Sequence, residues 1–382
     1  MASPDRSGPT GRGSSTRTRP APHRGDRLGV VECSIVVPTL GRASLGALLR
    51  SLREAHPDPR IAWHRVVLVD DRPPVEVGSR SPAHPPPSTT ELGGVARAWL
   101  GPCVSEVVTT ESGGIGPAGA RNRGIAATAT PWVITLDDDV TVTRVWWRDL
   151  ADDLCDADPS VGAVFGRICV PLPDDRPATD WERHTARLAT ARWITADAAL
   201  RRCALEAVGG FDEGFPRAYR EDSDLALRLL DQGWRLETGR RVSVHPPRRA
   251  PLLASVAVER GNADDERMRA KHGADFRERL GEDADALPVV HAITTMAAVA
   301  AVGAGLARRR RLAAIATTVW AALTARFAAR RIAPGPRDAR EVSAMVLSSV
   351  AIPPAATTHR ARGRWRTRRE ASERSAPAAP HR

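Results

Sequence analysis

Three apolar runs rich in β-branched residues each end directly in polar side chains. They read CSIVVPTL, HRVVLVDD and WVITLDDD, and they begin at Cys33, His64 and Trp132. Apolar residues that are continuous rather than alternating are typical of strands buried on both faces, as in parallel sheets covered by helices. A segment with helical apolar spacing, ASLGALLRSLREA, separates the first two runs. This opening predicts an α/β fold with a mostly parallel sheet flanked by helices.

The polar ends of these runs predict where a ligand binds. Ligands of open parallel sheets lie beyond the carboxyl ends of the strands. The third run ends in Asp137, Asp138 and Asp139, whose carboxylates repel one another unless a cation or hydrogen-bond donors offset the charge. On a strand, Asp137 and Asp139 face the same side and offer two oxygens to one Mn²⁺ or Mg²⁺, which substrate phosphates complete. Alternatively, the acids form a polar strand end that caps the next helix.

The motifs resemble those of glycosyltransferase family 2, whose members are inverting GT-A fold enzymes that use nucleotide sugars. The resemblance rests on the three strand ends and on GPAGARNRG, GGFDEGF, REDSDLALRLLDQG and VSVHPPR, which follow the family's order over residues 33–248. It implies a Rossmann-like GT-A sheet and a metal-dependent, inverting transferase of the hexosyltransferase type. The implied donor is a nucleoside-diphosphate sugar, and the acceptor is a hydroxyl on a cell-surface glycan, a lipid or a secondary metabolite.

Position by position, the resemblance assigns donor contacts to one set of residues. Asp71 matches the carboxylate that recognises the nucleoside, and Arg121 lies near the base or the diphosphate. The family usually has D-D-x-S where this chain has DDRPP, followed by a long Pro-rich loop at 72–94, and this departure leaves the base and the sugar open. The remaining donor-side residues are Pro38, Thr39 and Asp138.

A second set carries the acceptor and metal chemistry. Asp222 in REDSDL matches the family's general base, and inversion needs one such base opposite the leaving group to take the proton of the acceptor hydroxyl. The alternative is that acids at a helix N-terminus only favour the helix macrodipole. His245 matches a late histidine near the metal and joins Asp137 and Asp139 as predicted metal ligands. Two residues match the acceptor-side wall of the family, Asp212 and Trp193.

Composition indicates where the chain works. The 382 residues carry a net charge of +11, nearly all of it from arginine, and residues 1–29 lack the apolar run of a signal peptide. Five cysteines without a CxxC pair indicate neither a disulfide framework nor a zinc site, which fits a reducing cytoplasm. Basicity of this origin is weak evidence for nucleic acid, and we expect no nucleic-acid partner. The predicted segments are a disordered basic tail at 1–29, a GT-A domain at 30–285, a helical extension at 286–352 and a disordered basic tail at 353–382.

The helical extension raises the question of a membrane. Two apolar stretches, LPVVHAITTMAAVAAVGAGLA and LAAIATTVWAALTARFAARR, flank four arginines at 308–311. If the first stretch crossed outward from a cytoplasmic domain, these arginines would be translocated, against the positive-inside tendency. We therefore predict a helical hairpin that packs on the protein or lies on the anionic inner face of the plasma membrane, in preference to spanning helices.

Two rival functions differ from this interpretation in testable ways. A sugar-phosphate nucleotidyltransferase shares a similar sheet, but its family signature is a Gly-rich G-x-x-x-R segment followed by a lysine near the first strand, and Lys271 is the only lysine here. A non-catalytic basic protein that binds a membrane surface or nucleic acid is the second rival. Its affinity would fall steeply with salt and would not depend on metal. Carboxylates at the strand ends speak against it because they repel phosphates unless a cation intervenes.

Overall fold

The structure, a computed structural model, describes residues 30–74, 87–101, 103–283 and 285–375, so the tail predicted at 1–29 lies outside the described residues. Within these ranges the strands are β1 (Val31–Thr39), β2 (Ile61–Asp70), β3 (Glu106–Glu111), β4 (Trp132–Leu136), β5 (Thr141–Val142), β6 (Val161–Cys169), β7 (Asp197–Arg201) and β8 (Arg235–Val244). They form one sheet in the order β3-β2-β1-β4-β7-β6-β8-β5.

Strand direction brings the predicted ligand edge together. β1 pairs in parallel with β2 and with β4, and β2 pairs in parallel with β3. In the β1–β2 ladder Thr39 lies beside Asp70, so the two strands end at the same level. β7 runs antiparallel to β4 and β6, while β8 is parallel to β6 and antiparallel to β5. The sheet is therefore mixed, and the carboxyl ends of β1, β2 and β4 share one edge.

Helices cover both faces of the sheet and extend the chain beyond it. Two further segments, 187–189 and 259–261, form short 3₁₀ turns. The α-helices are α1 (Ser44–Glu54), α2 (Thr89–Leu100), α3 (Pro117–Ala126), α4 (Trp146–Cys155), α5 (Asp180–Ala186), α6 (Arg202–Val208), α7 (Glu221–Asp231), α8 (Ala254–Val258), α9 (Asn262–His272), α10 (Phe276–Arg279), α11 (Leu287–Leu306), α12 (Arg310–Ile332) and α13 (Ala339–Ser375).

Each face of the sheet is closed by its own apolar cluster. Ile35 and Val37 of β1 pack with side chains of α1, α2 and α4, whereas Val36 faces the opposite side, where Ala120 of α3 packs. Neighbouring residues of one strand are thus buried on opposite faces, which explains why the strands read as continuous apolar runs. The fold class predicted from the sequence is confirmed: it is α/β, with a sheet flanked by helices and a helical C-terminal extension.

The segment after β2 differs from the prediction. A single loop was predicted over 72–94, but α2 begins at Thr89, and residues 75–86 lie outside the described part of the chain. The Ser88 hydroxyl accepts from the Glu91 backbone N–H while the Glu91 carboxylate accepts from the Ser88 backbone N–H. This reciprocal capping box stabilises the helix start, and the letters STTE contained its signal.

The C-terminal tail is the clearest correction. Helix α13 continues past two consecutive prolines to Ser375, so the tail predicted to be disordered is helical over 353–375. Proline lacks the N–H that a helix interior uses, so local propensity alone argues for a break here. Tertiary packing overrides that cost: Ile352 is buried, and Arg364 donates to Glu266 of α9 at 3.0 Å.

The hairpin of α11 and α12 leaves its distal part without a partner. Both helices are long and apolar enough to cross a membrane. Their buried residues lie only near the base of the hairpin, and every residue from 296 to 323 is exposed or half-buried. Several apolar side chains are more than half exposed in this distal part: Met296, Val299, Val302, Leu306, Leu312 and Ile315.

A fully buried arginine ties β8 to the sheet interior. Arg241 donates from Nε to Asp197 Oδ1 at 2.7 Å, from Nη1 to Asp153 Oδ2 at 2.9 Å and from Nη2 to a backbone carbonyl at 2.6 Å. Asp197 also accepts from Trp146 Nε1 at 2.8 Å and from Ser243 Oγ at 2.6 Å. This core network satisfies each of its charged groups with hydrogen bonds.

Candidate active site

The three consecutive carboxylates lie in a turn at the carboxyl end of β4. The strand ends at Leu136, and residues 137–139 form the turn that follows it. The expectation that strand alternation points Asp137 and Asp139 to one side is therefore wrong, because neither residue belongs to the strand. Their side chains instead diverge toward three different groups of partners.

Asp138 is buried and supports the end of β1. Its Oδ2 accepts from Thr39 Oγ1 at 2.7 Å and from the Leu40 backbone N–H at 3.3 Å, and its Oδ1 lies 3.3 Å from Arg42 Nη1. The Thr39 hydroxyl also accepts from the Gly41 backbone N–H at 3.0 Å. Thr39 and Asp138 were both predicted to contact the sugar donor, but in the structure they bond to each other and connect the ends of β1 and β4. Of this group, the Arg42 side chain is the exposed member, at 40%.

Asp139 faces the end of β8. Its Oδ2 lies 3.3 Å from His245 Nε2 and also contacts the guanidinium of Arg248. The His245 backbone N–H donates to the Cys169 carbonyl at 2.8 Å, which fixes the histidine just beyond β8. Nδ1 of the same ring is buried and has no hydrogen-bond partner among the described residues. Burial, together with the charge of nearby Arg42, lowers the pKa of Arg248.

The protein supplies enough ligand atoms for a divalent cation whose coordination is completed by substrate, but not enough to enclose the cation by protein alone. The described residues contain no group of three or more His, Cys, Asp or Glu side chains placed to hold a metal ion. The predicted trio of Asp137, Asp139 and His245 therefore does not form one cluster, because Asp137 turns away to an arginine. Mn²⁺ and Mg²⁺ commonly take one or two protein ligands and fill the other positions with phosphate and water. The adjacent Asp139 oxygen and His245 nitrogen suit that mode.

Arg121 connects the two acidic motifs. It is buried in α3, and its Nη2 donates to Asp137 Oδ1 at 2.8 Å while its Nη1 donates to Glu221 Oε1 at 3.0 Å. Arg121 Nε and Glu221 Oε2 are buried without hydrogen-bond partners among the described residues. The sequence predicted that this arginine contacts the donor, whereas the structure places its guanidinium inside the protein, between Asp137 in the turn after β4 and Glu221 of α7.

Burial raises the pKa of both acids at the start of α7. Burial, followed by the charge of Asp222, raises the pKa of Glu221 to about 8. Burial also raises the pKa of Asp222, against the lowering effect of the hydrogen bond from the Ser223 backbone N–H. One arginine, Arg121, faces three carboxylates here, so a retained proton brings the group closer to neutrality. Asp222 is the partly exposed member of the pair.

A strained residue presents this acidic pair. Arg220 immediately precedes α7 with φ at +76°, a left-handed conformation that is uncommon for a side chain of this size. Its guanidinium pairs with Asp265 at 2.8 Å and with Glu282. The ion pairs hold the unfavourable backbone in place, as functional sites often require. No local sequence pattern indicates this role of Arg220, because its partners lie 45 and 62 residues away.

Asp71 lies just past β2 on the same edge. Its Oδ1 accepts from Ser112 Oγ at 2.6 Å and from the Gly116 backbone N–H at 3.1 Å, and its own N–H donates to the Thr39 carbonyl at 2.9 Å. Gly116 has φ at +95°, and a Cβ there would lie 2.6 Å from the Pro216 carbonyl oxygen, so only glycine allows this approach. Pro38, near the end of β1, is half-buried beside this carboxylate edge.

The predicted acceptor-side residues belong to two neighbouring loops. Asp212 pairs with Lys271 at 2.7 Å and with Arg267 at 3.5 Å, so its carboxylate fixes the GGFDEGF loop to α9. Trp193 is half-buried, has φ at +60°, and lies 5.3 Å from the ring of Phe165. Trp193 therefore combines a strained backbone with a half-buried ring, over which the Arg192 guanidinium lies 5.4 Å from the ring centroid, whereas Asp212 is held by its ion pairs.

Comparisons with known proteins find similarity to glycosyltransferases over part of the chain. Residues 88–208 match the Glycosyl transferase family 2 model. Pre-mycofactocin glycosyltransferase of Mycobacterium tuberculosis, from strains CDC 1551 / Oshkosh and H37Rv, is 31% identical over 219 residues, or 54% of this chain. The chain spans 40% of the length of these relatives.

Two solved structures are also similar. Mannosyltransferase PcManGT from Pyrobaculum calidifontis, in complex with GDP-Man and Mn²⁺, is 19% identical over 91% of this chain and 89% of its own, with a TM-score of 0.47. GalNAc-T7 with UDP, GalNAc and Mn²⁺ is 17% identical over 68% of this chain and 56% of its own, with a TM-score of 0.43. The segment 88–208 is therefore similar to glycosyltransferase family 2.

Proposed function

We propose that this chain is an inverting glycosyltransferase that moves a hexose from a nucleoside-diphosphate sugar to a hydroxyl acceptor. The observation that carries the proposal is the arrangement of carboxylates along one sheet edge. Asp139 lies beside His245 at one end, Asp222 opens α7 at the other, and the Arg121 guanidinium connects the two regions through Asp137. The family match over residues 88–208 favours this function over nucleotidyl transfer.

Asp222 acts as the general base in this proposal. Its Oδ1 accepts from the Ser223 backbone N–H at 2.7 Å, and no hydrogen bond from a described residue reaches its Oδ2. As the acceptor oxygen attacks the anomeric carbon, Asp222 takes the hydroxyl proton. The new glycosidic bond forms while the bond to the diphosphate oxygen breaks, and the diphosphate leaves with the electron pair. A single displacement inverts the anomeric carbon.

The opposite end of the edge binds the donor. Asp139 and His245 would hold Mn²⁺ or Mg²⁺, which when bound neutralises negative charge on the leaving diphosphate. Asp71 keeps Oδ1 on protein donors and accepts from a base N–H or a ribose hydroxyl with Oδ2. Trp193 offers a ring face to the acceptor, which is a hydroxyl of a cell-surface glycan, a lipid or a secondary metabolite.

A thermal-shift panel on the full chain tests the donor assignment. We expect Mn²⁺ with one nucleoside diphosphate out of UDP, GDP, ADP, CDP and dTDP to raise the melting temperature by several degrees, because ligands that bind only the folded state stabilise it. Asp139→Ala should abolish the shift while leaving the melting temperature of the free protein within a few degrees of the wild type. A panel without any metal-dependent shift in the wild type would contradict the proposal.

We propose further that the α11–α12 hairpin attaches the enzyme to the anionic inner face of the plasma membrane as a peripheral protein. The distal part of the hairpin exposes apolar side chains along both helices, including Val302, which is 64% exposed, and Leu306, which is 82% exposed. Four arginines at 308–311 lie at the turn between the two helices and in the first turn of α12. Apolar side chains that enter the headgroup boundary and arginines that pair with anionic headgroups together give stable surface binding.

Vesicle flotation tests the membrane proposal. The full chain should float with vesicles that contain phosphatidylglycerol and not with phosphatidylcholine vesicles, and carbonate should release it from cell membranes. Val302→Asp together with Leu306→Asp should abolish flotation, because charged side chains resist entry into the apolar boundary. Resistance to carbonate would reject peripheral attachment in favour of spanning helices, and equal flotation on both vesicle types would reject the role of anionic lipid.

A further inference from the structure

We propose that Arg248 exchanges partners during the catalytic cycle: without nucleotide its guanidinium neutralises Asp139, and with donor bound it turns to the diphosphate. The inference rests on the proposed function, since it takes the donor diphosphate to bind at this edge. The ion pair with Arg248 would keep the buried Asp139 carboxylate neutralised before donor and cation arrive.

The geometry places Arg248 in competition with a divalent cation. Its guanidinium contacts Oδ2 of Asp139, and the same oxygen lies 3.3 Å from His245 Nε2. The arginine therefore occupies the side of Asp139 that faces the histidine, which is the side assigned to the cation. Two cations on one carboxylate oxygen repel each other, so the binding of one disfavours the other.

The two partners differ in their freedom to move. Asp139 is buried in the turn after β4, with 6% of its side chain exposed, whereas 44% of the Arg248 side chain is exposed. Arg248 lies four residues beyond the end of β8, in a segment without helix or strand. The exposed guanidinium regains water when it leaves, and the incoming cation takes over the charge of the buried carboxylate, so the exchange leaves neither charge unpaired. Pro246 and Pro247 restrict the backbone before it, so the released side chain stays near the edge.

A diphosphate is the chemistry that receives the released guanidinium. The planar guanidinium of arginine can donate two parallel hydrogen bonds to phosphate oxygens. A second exposed arginine faces the neighbouring carboxylate. The Arg42 guanidinium lies 3.3 Å from Asp138, and 40% of the Arg42 side chain is exposed. A diphosphate that approaches the edge thus meets two exposed guanidiniums in front of the two carboxylates that would repel it.

Mn²⁺ binding without nucleotide is the first test, measured on the full chain by the electron paramagnetic resonance signal of free Mn²⁺. Arg248→Gln should bind Mn²⁺ about tenfold more tightly than the wild type, because the competing cation is gone. The matched control is Arg249→Gln, which removes an exposed neighbouring arginine that has no ion pair in the described part of the chain, and it should leave Mn²⁺ affinity unchanged. Unchanged or weaker Mn²⁺ binding by Arg248→Gln would overturn the exchange.

Nucleotide binding is the second test, and its expected sign is opposite. At saturating Mn²⁺, Arg248→Gln should bind the nucleoside diphosphate selected by the thermal-shift panel about tenfold to a hundredfold more weakly, since a charge-assisted hydrogen bond is lost. Arg248→Lys should retain part of the affinity. If calorimetry gives Arg248→Gln and Arg249→Gln the same affinity for the nucleoside diphosphate, the proposed exchange of partners is wrong. Asp139→Asn separates the two proposals: if it keeps full Mn²⁺-dependent nucleotide binding, the proposed function itself fails.

Discussion

Two of the buried arginines, Arg121 and Arg241, each lie between two carboxylates, and only Arg241 has all of its donors satisfied. Arg241 donates from Nε, Nη1 and Nη2 to acceptors between 2.6 and 2.9 Å away. Arg121 donates from Nη1 and Nη2, but its Nε and one oxygen of its partner Glu221 have no partner among the described residues. The same kind of side chain is thus buried in two different electrostatic settings.

The difference separates a structural network from a functional one. A buried polar network that is fully hydrogen-bonded rigidifies a core, whereas unsatisfied buried atoms are costly and mark sites where a ligand or a proton completes the group. The Arg241 network ties β8 to the sheet interior. The Arg121 network reaches the partly exposed Asp222, whose pKa burial raises, at the edge where substrates are proposed to bind. Raised carboxyl pKa values are typical of such functional positions.

The largest expected stability effect lies in the satisfied network. Asp197→Ala leaves the Arg241 guanidinium without its central partner, and breaking a buried pair in this way costs about 3–5 kcal/mol. Urea unfolding of the variant at neutral pH measures the loss. Ser243→Ala is the control, since it removes one neutral donor to Asp197 and should cost only about 1 kcal/mol. A loss below 1 kcal/mol for Asp197→Ala would break the contrast between the networks.

A pH-dependent effect is expected in the unsatisfied network. The folded protein holds a proton on Glu221 up to a pKa of about 8, whereas an unperturbed glutamate releases it near 4.5. The folded state therefore binds more protons between these values, so this group makes stability fall as pH rises from about 4.5 to 8. Glu221→Gln should match the wild type at pH 5 and exceed it at pH 8, by on the order of 2–4 kcal/mol.

Urea unfolding of Glu221→Gln and the wild type at pH 5, 6.5 and 8 checks this sign. The variant replaces the protonated carboxyl with a neutral amide of the same shape, so packing is preserved. If the two proteins lose stability in parallel across this range, Glu221 does not hold the extra proton, and the two networks are electrostatically alike.

The smallest effect is expected at an exposed pair. Arg369 and Glu373 lie one turn apart on α13 at 2.8 Å, and both side chains are more than 60% exposed. Pairs of this kind contribute less than about 0.5 kcal/mol because water and salt screen them. Glu373→Gln should therefore leave the urea midpoint almost unchanged, and a loss above 1 kcal/mol would show that exposure does not rank these ion pairs.

Much of the fold was predictable because burial on both faces leaves a continuous apolar signal. β1, β2 and β4 were predicted from that signal, and their polar ends meet at one edge as expected. Two predictions of irregular structure were wrong in part: the loop predicted at 72–94 contains the start of α2, and the tail predicted at 353–382 is helical as far as Ser375. Helix α2 starts with a capping box that the sequence contained, whereas α13 passes two prolines through packing against distant helices, which local propensity does not predict.

The sequence predicted which types of residue form the site, but it did not predict which of them form ion pairs with each other. The sequence placed carboxylates at the ends of β2 and β4 and at the start of α7. It did not show that Arg121 is buried between Asp137 and Glu221, because that contact joins positions 100 residues apart. It also did not show that Arg248 covers Asp139, since the two meet only when the β4 and β8 ends come together. Long-range ion pairs of this kind follow from the fold.

Asp222 is the residue on which the proposed transfer depends most, since it is the base that takes the acceptor proton. With donor and acceptor in hand, Asp222→Asn should lower kcat about 10²- to 10⁴-fold, because the amide keeps the shape but takes no proton. Mn²⁺-dependent nucleotide binding should stay at the wild-type level, and the wild-type rate should rise with pH as Asp222, whose pKa burial raises, loses its proton. A variant that retains more than about a tenth of the wild-type kcat would contradict the account.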